Sequence, residues 1–297
     1  MIRYSGLPLL IRETLQRNKV TIVMFHDLPG EAAFRAFSFL VKKYNVISLE
    51  AFQEAHRRGD LSKLPPKSLI ITLDDGHISN YQLLPVVQEL QIPISIFLCS
   101  GLVGTNRHFW FKYKRKELKP ERLKKLPNTR KLEILAEAGF FLEREFDTPQ
   151  ALSKEHVLGM KHAVNFQCHT VFHPCLPKCD REEAWEEIVE SKRALEEEYG
   201  LEVDTLAYPN GDYSDREIAL LKEAGYRNAI TVDFGFNSLK TNPFQFKRIS
   251  IDDMGDVDAI CVKSCGIWTF LMGLIGKQRW NGKMEPIPMK EVLSVLH

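Results

Sequence analysis

Residues 69–76 read LIITLDDG: an apolar, β-branched run, Leu69 to Leu73, followed at once by Asp74, Asp75 and Gly76. The run has the length and composition of a strand buried on both faces. Two carboxylates at the end of a buried strand are costly unless a cation or a proton partners them. Consecutive residues leaving a strand point in different directions, so one carboxylate can bind a metal while the other faces a water. By itself, Asp-Asp-Gly also reads as an ordinary turn.

The same strand-then-helix rhythm extends in both directions. Strands are predicted at Val20 to Phe25, Asn45 to Ser48, Ile94 to Cys99, Val164 to Cys168, Thr205 to Tyr208, Arg227 to Val232 and Phe246 to Ile251. Between them, helical spacing covers Phe34 to Lys43, Leu49 to Arg58, Ser79 to Leu90 and Ser214 to Ala224. The clearest helix is Asp180 to Tyr199, with Asp180 as N-cap, Glu183 completing a capping box and Gly200 as terminator. Strands alternating with helices imply a parallel sheet, and seven or so such units favour a barrel over an open sheet. Residues 105–162 are irregular and charged, and read as a helical insertion. The barrel is expected over 1–253, with a helical appendage over 254–297.

Two further motifs follow predicted strands. His169-Thr170-Val171-Phe172-His173 places two imidazoles four residues apart, on one face if the segment is helical. Two histidines and one aspartate leave coordination positions open, as catalytic metal sites do. A metal lowers the pKa of its bound water, and a free carboxylate beside it can take the proton. Ala207-Tyr208-Pro209-Asn210-Gly211 reads as a Pro-Asn-Gly turn, or as a turn whose backbone N–H groups face an oxyanion.

Bulk properties narrow the partners. The 297 residues carry a formal net charge of +1, with 44% hydrophobic and 27% charged residues, an ordinary globular balance that gives no sign of a nucleic-acid binder. A basic cluster at Lys112, Lys114, Arg115, Lys116 and Lys119 reads as a solvated face, or as contact with an anionic ligand or membrane surface. The pairs Cys175/Cys179 and Cys261/Cys265 lack zinc-finger context and read as free thiols of a reducing compartment. The N-terminus shows no apolar leader, so cytoplasmic action is expected. The stretch 266–280 is apolar but too short to span a bilayer, and could lie on a membrane face.

TLDDG, then HTVFH, then AYPNG, with VMFH, VISLEAF and IPISIFL around them, resembles the polysaccharide deacetylase family, also called the NodB-homology or carbohydrate esterase family 4 group. The resemblance runs from about Val20 to Asp252. It implies a distorted (β/α)7 barrel that removes an acetyl group from an N-acetylated or O-acetylated sugar or glycan precursor, with a role in cell-surface glycan biosynthesis. It implies Asp74 as catalytic base and Asp75, His169 and His173 as ligands of one divalent metal, zinc foremost. It also implies Asn210 as oxyanion donor, with Tyr208 and Pro209 shaping the groove.

The chain departs from the family pattern twice. The arginine many members carry in the third motif is replaced by Ala207-Tyr208, and the late histidine is missing from Arg248-Ile249-Ser250-Ile251. A subgroup with a histidine on an N-terminal strand offers His26 of VMFHDL as the acid, with Asp27 or Arg248 assisting. His77, Trp110 and Arg248 are further candidates for lining the sugar groove, with His108 and Phe109 beside Trp110. Nucleotide sugars and lipid-linked glycans join acetylated sugars as expected substrates. The competing reading is a non-catalytic carbohydrate-binding protein on the same fold. Iron oxygenases use similar ligands but all-β barrels.

Overall fold

In the computed structural model, which describes residues 4–115 and 118–268, Ser68–Leu73 is a strand inside the sheet with all six side chains buried. The strands in chain order are β1 (Thr21–Phe25), β2 (Asn45–Val46), β3 (Ser68–Leu73), β4 (Ile94–Leu98), β5 (Val164–Cys168), β6 (Thr205–Ala207), β7 (Asn228–Ile230) and β8 (Ile249–Ser250). The α-helices are α1 (Leu7–Glu13), α2 (Gly30–Lys43), α3 (Leu49–Arg57), α4 (Leu83–Leu90), α5 (Pro120–Leu123), α6 (Asn128–Glu137), α7 (Lys154–Met160), α8 (Arg181–Tyr199), α9 (Asp215–Glu223) and α10 (Val257–Ser264).

The sheet runs β7-β6-β5-β4-β3-β1-β8, with β2 beside β3, and every named strand pair is parallel. The last segment draws its edges together. Phe246 bridges Ile230 of β7 in parallel, and Ile249 and Ser250 pair with Val23 and Met24 of β1. The result is the distorted (β/α)7 barrel that the alternating pattern implies.

Side-chain alternation decides what faces the barrel axis. Ile22, Ile70, Phe97, Ala207, Ile230 and Phe246 form one buried cluster with Phe52 of α3. Val23, Phe25, Leu69, Ile71 and Leu73 belong instead to the larger core. Continuing the inward set by steps of two gives Ile22–Met24–His26, Ile70–Thr72–Asp74 and Phe246–Arg248–Ser250. Three strands therefore deliver polar residues to the same C-terminal end of the barrel.

Several predicted elements are shorter or divided. The predicted helix from Ser79 starts as a 3₁₀ turn, Ile78–Gln82, and becomes α-helical only at Leu83. Pro85 then occupies the first α-helical turn, where its missing N–H costs nothing. The run Phe246 to Ile251 yields only β8 and one isolated bridge. Asp180 caps α8 by accepting from the Glu183 N–H at 2.9 Å, but the capping box is not made, because the Glu183 carboxylate accepts from Asn128 Nδ2. Between β4 and β5, the chain packs Trp110, Leu123, Leu135 and Phe140 into a small core of their own. Beyond Trp268, the stretch 266–280 lies outside the described residues.

Candidate active site

β1 and β3 are in register, Phe25 opposite Leu73, and the Asp74 N–H donates to the Phe25 carbonyl at 3.0 Å. His26 and Asp74 therefore leave neighbouring strands at the same height. Asp74 is 2% exposed, and Arg248 forks it: Nη1 to Oδ1 and Nη2 to Oδ2, both at 2.7 Å. The guanidinium also donates to the Thr231 carbonyl at 2.9 Å through Nε. Burial pushes the Asp74 carboxyl up, but the charges of Arg248 and His169 prevail and hold it below the usual carboxylate range.

Asp75 has φ 73°, and Gly76 repeats the value. Left-handed backbone is uncommon for a residue with a side chain and turns the chain away from the strand direction. At Gly76 a Cβ would sit 2.6 Å from Leu98 Cδ2, so glycine is required there. The turn splits the two carboxylates as the sequence suggested: Asp74 meets Arg248, and Asp75 meets histidines.

His169 and His173 do not share a helix face. The segment is a loop with Thr170 at φ 67° and His173 at φ 57°, which folds both rings toward Asp75. The loop is held by Glu187 of α8, whose Oε2 accepts from Val171 N at 2.8 Å and Phe172 N at 3.0 Å. Thr170 Oγ1 accepts from His173 N at 3.1 Å. Trp110 Nε1 donates to the His173 carbonyl at 3.0 Å.

Asp75, His169 and His173 are the one group of metal-ligating side chains that gathers among the described residues, with ligand atoms within 4.8 Å of one another. Asp75 Oδ1 lies 3.4 Å from His169 Nε2 and 3.5 Å from His173 Nε2, and it has no hydrogen-bond partner although buried. Such an orphan is expensive unless something positive fills the gap. Tetrahedral ligands at about 2.0–2.1 Å from a zinc ion sit about 3.4 Å apart, so the spacing fits a divalent cation. The Nδ1 of His169 lies 2.7 Å from the Ala207 carbonyl, which fixes the proton there and frees Nε2 as a ligand. Burial, joined by the like charge of His169, drives His173 down to about 3, so its ring is neutral and available. For His169 burial works downward too, but Asp74 and Asp75 outweigh it and raise its pKa.

The other oxygen of Asp75 is also provided for. His77 Nε2 lies 3.0 Å from Asp75 Oδ2, and His77 Nδ1 lies 3.2 Å from Lys112 Nζ. An ammonium can only donate, so Nδ1 accepts and the Nε2 proton points at Asp75. Lys112 is in turn held by Asp27 Oδ2 at 2.8 Å.

These residues floor an open groove of about 780 Å³, whose walls include Met24, His26, Phe111, Lys124, Lys125, Cys175, Lys178, Asn210, Tyr213 and Ser250. A larger depression of about 1030 Å³ lies at the opposite end of the strands, beside Pro93, Val164 and Asp204, away from these groups. Asn210 is left-handed at φ 56° and its Nδ2 is 3.3 Å from Cys175 Sγ.

Five residues expected to line the groove are placed elsewhere. Arg248 is 1% exposed and committed to Asp74. His77 is 2% exposed and lies behind Asp75. Trp110 packs in the insertion core and supports His173 from beneath; Phe111, 4.9 Å from the His173 ring, faces the groove instead. Tyr208 is fully buried, with its hydroxyl donating to the Phe244 carbonyl, and Pro209 is buried beside it. The missing third-motif arginine has its substitute in Arg248. The four cysteines considered for zinc are free and buried, and do not gather into a metal-ligating group among the described residues.

Sequence reasoning missed Glu187 and Asp253. Helical spacing puts Glu187 on the face of α8 that buries Ala184, Ile188, Ser191 and Leu195, and an acid on such a stripe was the available signal. Asp253 accepts from His26 N at 2.9 Å and Asp27 N at 3.2 Å, closing the end of β1, and nothing in its local sequence marks it.

The family model for polysaccharide deacetylases matches residues 62–229, more than half of the chain, including β3, the aspartate pair, both histidines and the Asn210 turn. The chain belongs to the polysaccharide deacetylase family. Bacillus subtilis (strain 168) "Putative polysaccharide deacetylase YxkH" is 19% identical over 186 residues, 62% of this chain and 52% of that protein, so the match spans about half of the relative's length. Among solved structures, this deacetylase-family chain superposes on Streptococcus pyogenes deacetylase PplD, solved in complex with acetate, with TM-score 0.62 and 18% identity over 84% of this chain and 99% of that one. IcaB from Ammonifex degensii gives TM-score 0.62 and 17% identity, again over 84% and 99%. At such identities the likeness speaks for the fold that this polysaccharide deacetylase family member shares with them.

Proposed function

We propose that this chain is a metal-dependent carbohydrate deacetylase that hydrolyses an N-acetyl or O-acetyl group on a sugar or glycan precursor. The observation that carries the reading is the division of labour between the adjacent aspartates. Asp75 turns an unpartnered buried oxygen toward two imidazoles, while Asp74 beside it is kept ionised by Arg248. A carbohydrate-binding module has no need of a charged base next to a metal-ligand set. Family membership and a relative solved with acetate support the same reaction class.

Asp75, His169 and His173 would hold the cation. When bound, it would supply Lewis-acid polarisation of the acetyl carbonyl and an acidified water. Asp74 accepts the proton of the attacking water, and Arg248 orients the carboxylate so that its remaining lone pairs face the groove. The backbone N–H of Asn210 is the donor for the oxyanion, reached through its left-handed turn. His26, half-buried in the groove wall at the level of Asp74, donates a proton to the departing amine or hydroxyl. Cytoplasmic action on a precursor and a membrane-facing role for 266–280 belong to this proposal as well.

The test is acetate release from a panel of acetylated sugars, measured before and after chelation and again after zinc is restored. Acetate release that chelation abolishes and zinc restores is expected. Full activity in a chain shown to be metal-free would overturn the metal assignment. Stoichiometric metal with no release across the panel would favour the binding-protein reading.

A further inference from the structure

We propose that the acetylated substrate carries a phosphate group, and that Lys125 and Lys178, facing each other's side of the groove mouth, receive it. The proposal rests on the deacetylase reading above for the acetyl end of the substrate and adds the chemistry of the other end.

The argument starts with where the positive charge lies. The whole chain has a formal net charge of +1, yet residues 112–125 hold eight lysines and arginines against two glutamates. The remainder of the chain is therefore net acidic, and the basic segment is a concentrated patch. The fold places that patch at the site. Phe111, Lys124 and Lys125 line the same groove as His169, His173 and Asn210. The segment is anchored there by Trp110 Nε1 to the His173 carbonyl at 3.0 Å and by Lys112 to Asp27 at 2.8 Å.

The next observation is what these lysines are not doing. Elsewhere on the surface, cations are matched along their own helices: Arg130 with Glu133 at 2.7 Å, Arg193 with Glu197 at 2.8 Å. Lys124 has Glu121 at 3.1 Å. Lys125 and Lys178 are exposed, and among the described residues neither ammonium has a carboxylate partner. They come from separate elements, Lys125 just past α5 and Lys178 from the 3₁₀ turn Leu176–Lys178, and converge on one groove. Acidic lining is present in Glu121 and Asp212, but it does not cancel the lysines. A cleft lined by one sign of charge focuses its field and raises the local concentration of the opposite ion. Lysine is a point-charge phosphate binder that needs no planar fork, and two of them flanking a groove suit a phosphate better than a neutral glycan.

The first arm of the test needs no knowledge of the sugar. Inorganic phosphate is titrated into the metal-loaded protein at low and high salt, and backbone amide shifts of groove residues are followed. Saturable shifts at Lys125, Lys178 and Asn210 are expected, weakening as salt rises and about tenfold weaker in the double variant K125Q/K178Q, the size of one lost charged contact. No saturable shift, or a phosphate affinity that the double variant leaves unchanged, overturns the proposal, the second outcome marking phosphate held by the cation alone. The second arm compares acetate release from N-acetylhexosamines and their 1-phosphates. Phosphate binding with no acetate from either would defeat the deacetylase reading and leave this one standing. Equal kcat/KM for neutral and phosphorylated forms would do the reverse. A nucleotide-diphosphate sugar and a polyprenyl-diphosphate sugar then separate a soluble from a lipid-linked source. Lysine variants that alter only sedimentation with anionic vesicles, and not phosphate affinity, would assign the patch to a membrane and also overturn the proposal.

Discussion

Arg248 holds both carboxylate oxygens of Asp74 at 2.7 Å across 174 residues of chain, with each side chain almost wholly buried. The pair couples the last strand of the barrel to the third, and it fixes the charge state of the proposed base. Replacing Arg248 by methionine leaves a buried carboxylate without its counter-charge, at a cost of about 3–5 kcal/mol in stability. Arg248→Lys keeps the charge and loses the fork. Asp74 is then less strongly held in its ionised form, so the acidic limb of the kcat/KM profile moves to higher pH. A limb that stays in place in Arg248→Lys would remove Arg248 from the control of Asp74.

The two aspartates should separate in their failures. Asp74→Asn is expected to keep the metal and to lose turnover by about 10²–10⁴-fold, the range of a lost general base. His169→Ala is expected to lose the metal itself. Inductively coupled plasma analysis beside acetate release distinguishes the cases. Normal turnover in Asp74→Asn, or stoichiometric metal in His169→Ala, would contradict the assignment.

Lys112 acts two contacts from the metal set, through His77 to Asp75. Lys112→Met frees His77 to place its proton on either nitrogen, and Asp75 loses a fixed donor. Outer partners of metal ligands contribute about 10–100-fold in metal affinity. A weakened zinc Kd, read by competition with a chromogenic chelator, is expected in Lys112→Met and His77→Ala. A purely structural role for Lys112 would lower Tm without changing the Kd.

Glu187 gives the fold a pH signature. Burial pushes its carboxyl up to about 7, against the pull of the Phe172 and Val171 N–H groups. The folded state therefore holds a proton that the unfolded chain, titrating near 4.5, releases earlier. Its contribution to stability is full below about 4.5 and declines as pH rises toward 7. Urea midpoints at intervals from pH 4 to pH 8 should fall over this range in the wild type and fall less in Glu187→Gln. Glu187→Ala removes the acceptor of two buried N–H groups, costs about 1–3 kcal/mol for each, and loosens the histidine loop.

The sequence alone determined the barrel and the identity of the metal-ligating trio. Both are written in local pattern: buried strands of period two, helices of period 3.6, and polar motifs placed just past strand ends, where parallel barrels put their chemistry. Tertiary structure decided how those motifs are used. Whether HTVFH was helix or loop depended on Glu187 and Thr170, and the left-handed residues that fold it cannot be read from spacing. Arg248, His77 and Trp110 have side chains suited to a sugar groove, and only the closed barrel shows them facing inward, beneath Asp74, Asp75 and His173 instead. Hydrogen bonds between residues 35 to 174 positions apart leave no periodic trace in the chain, because they depend on how strands and insertion pack after each has formed.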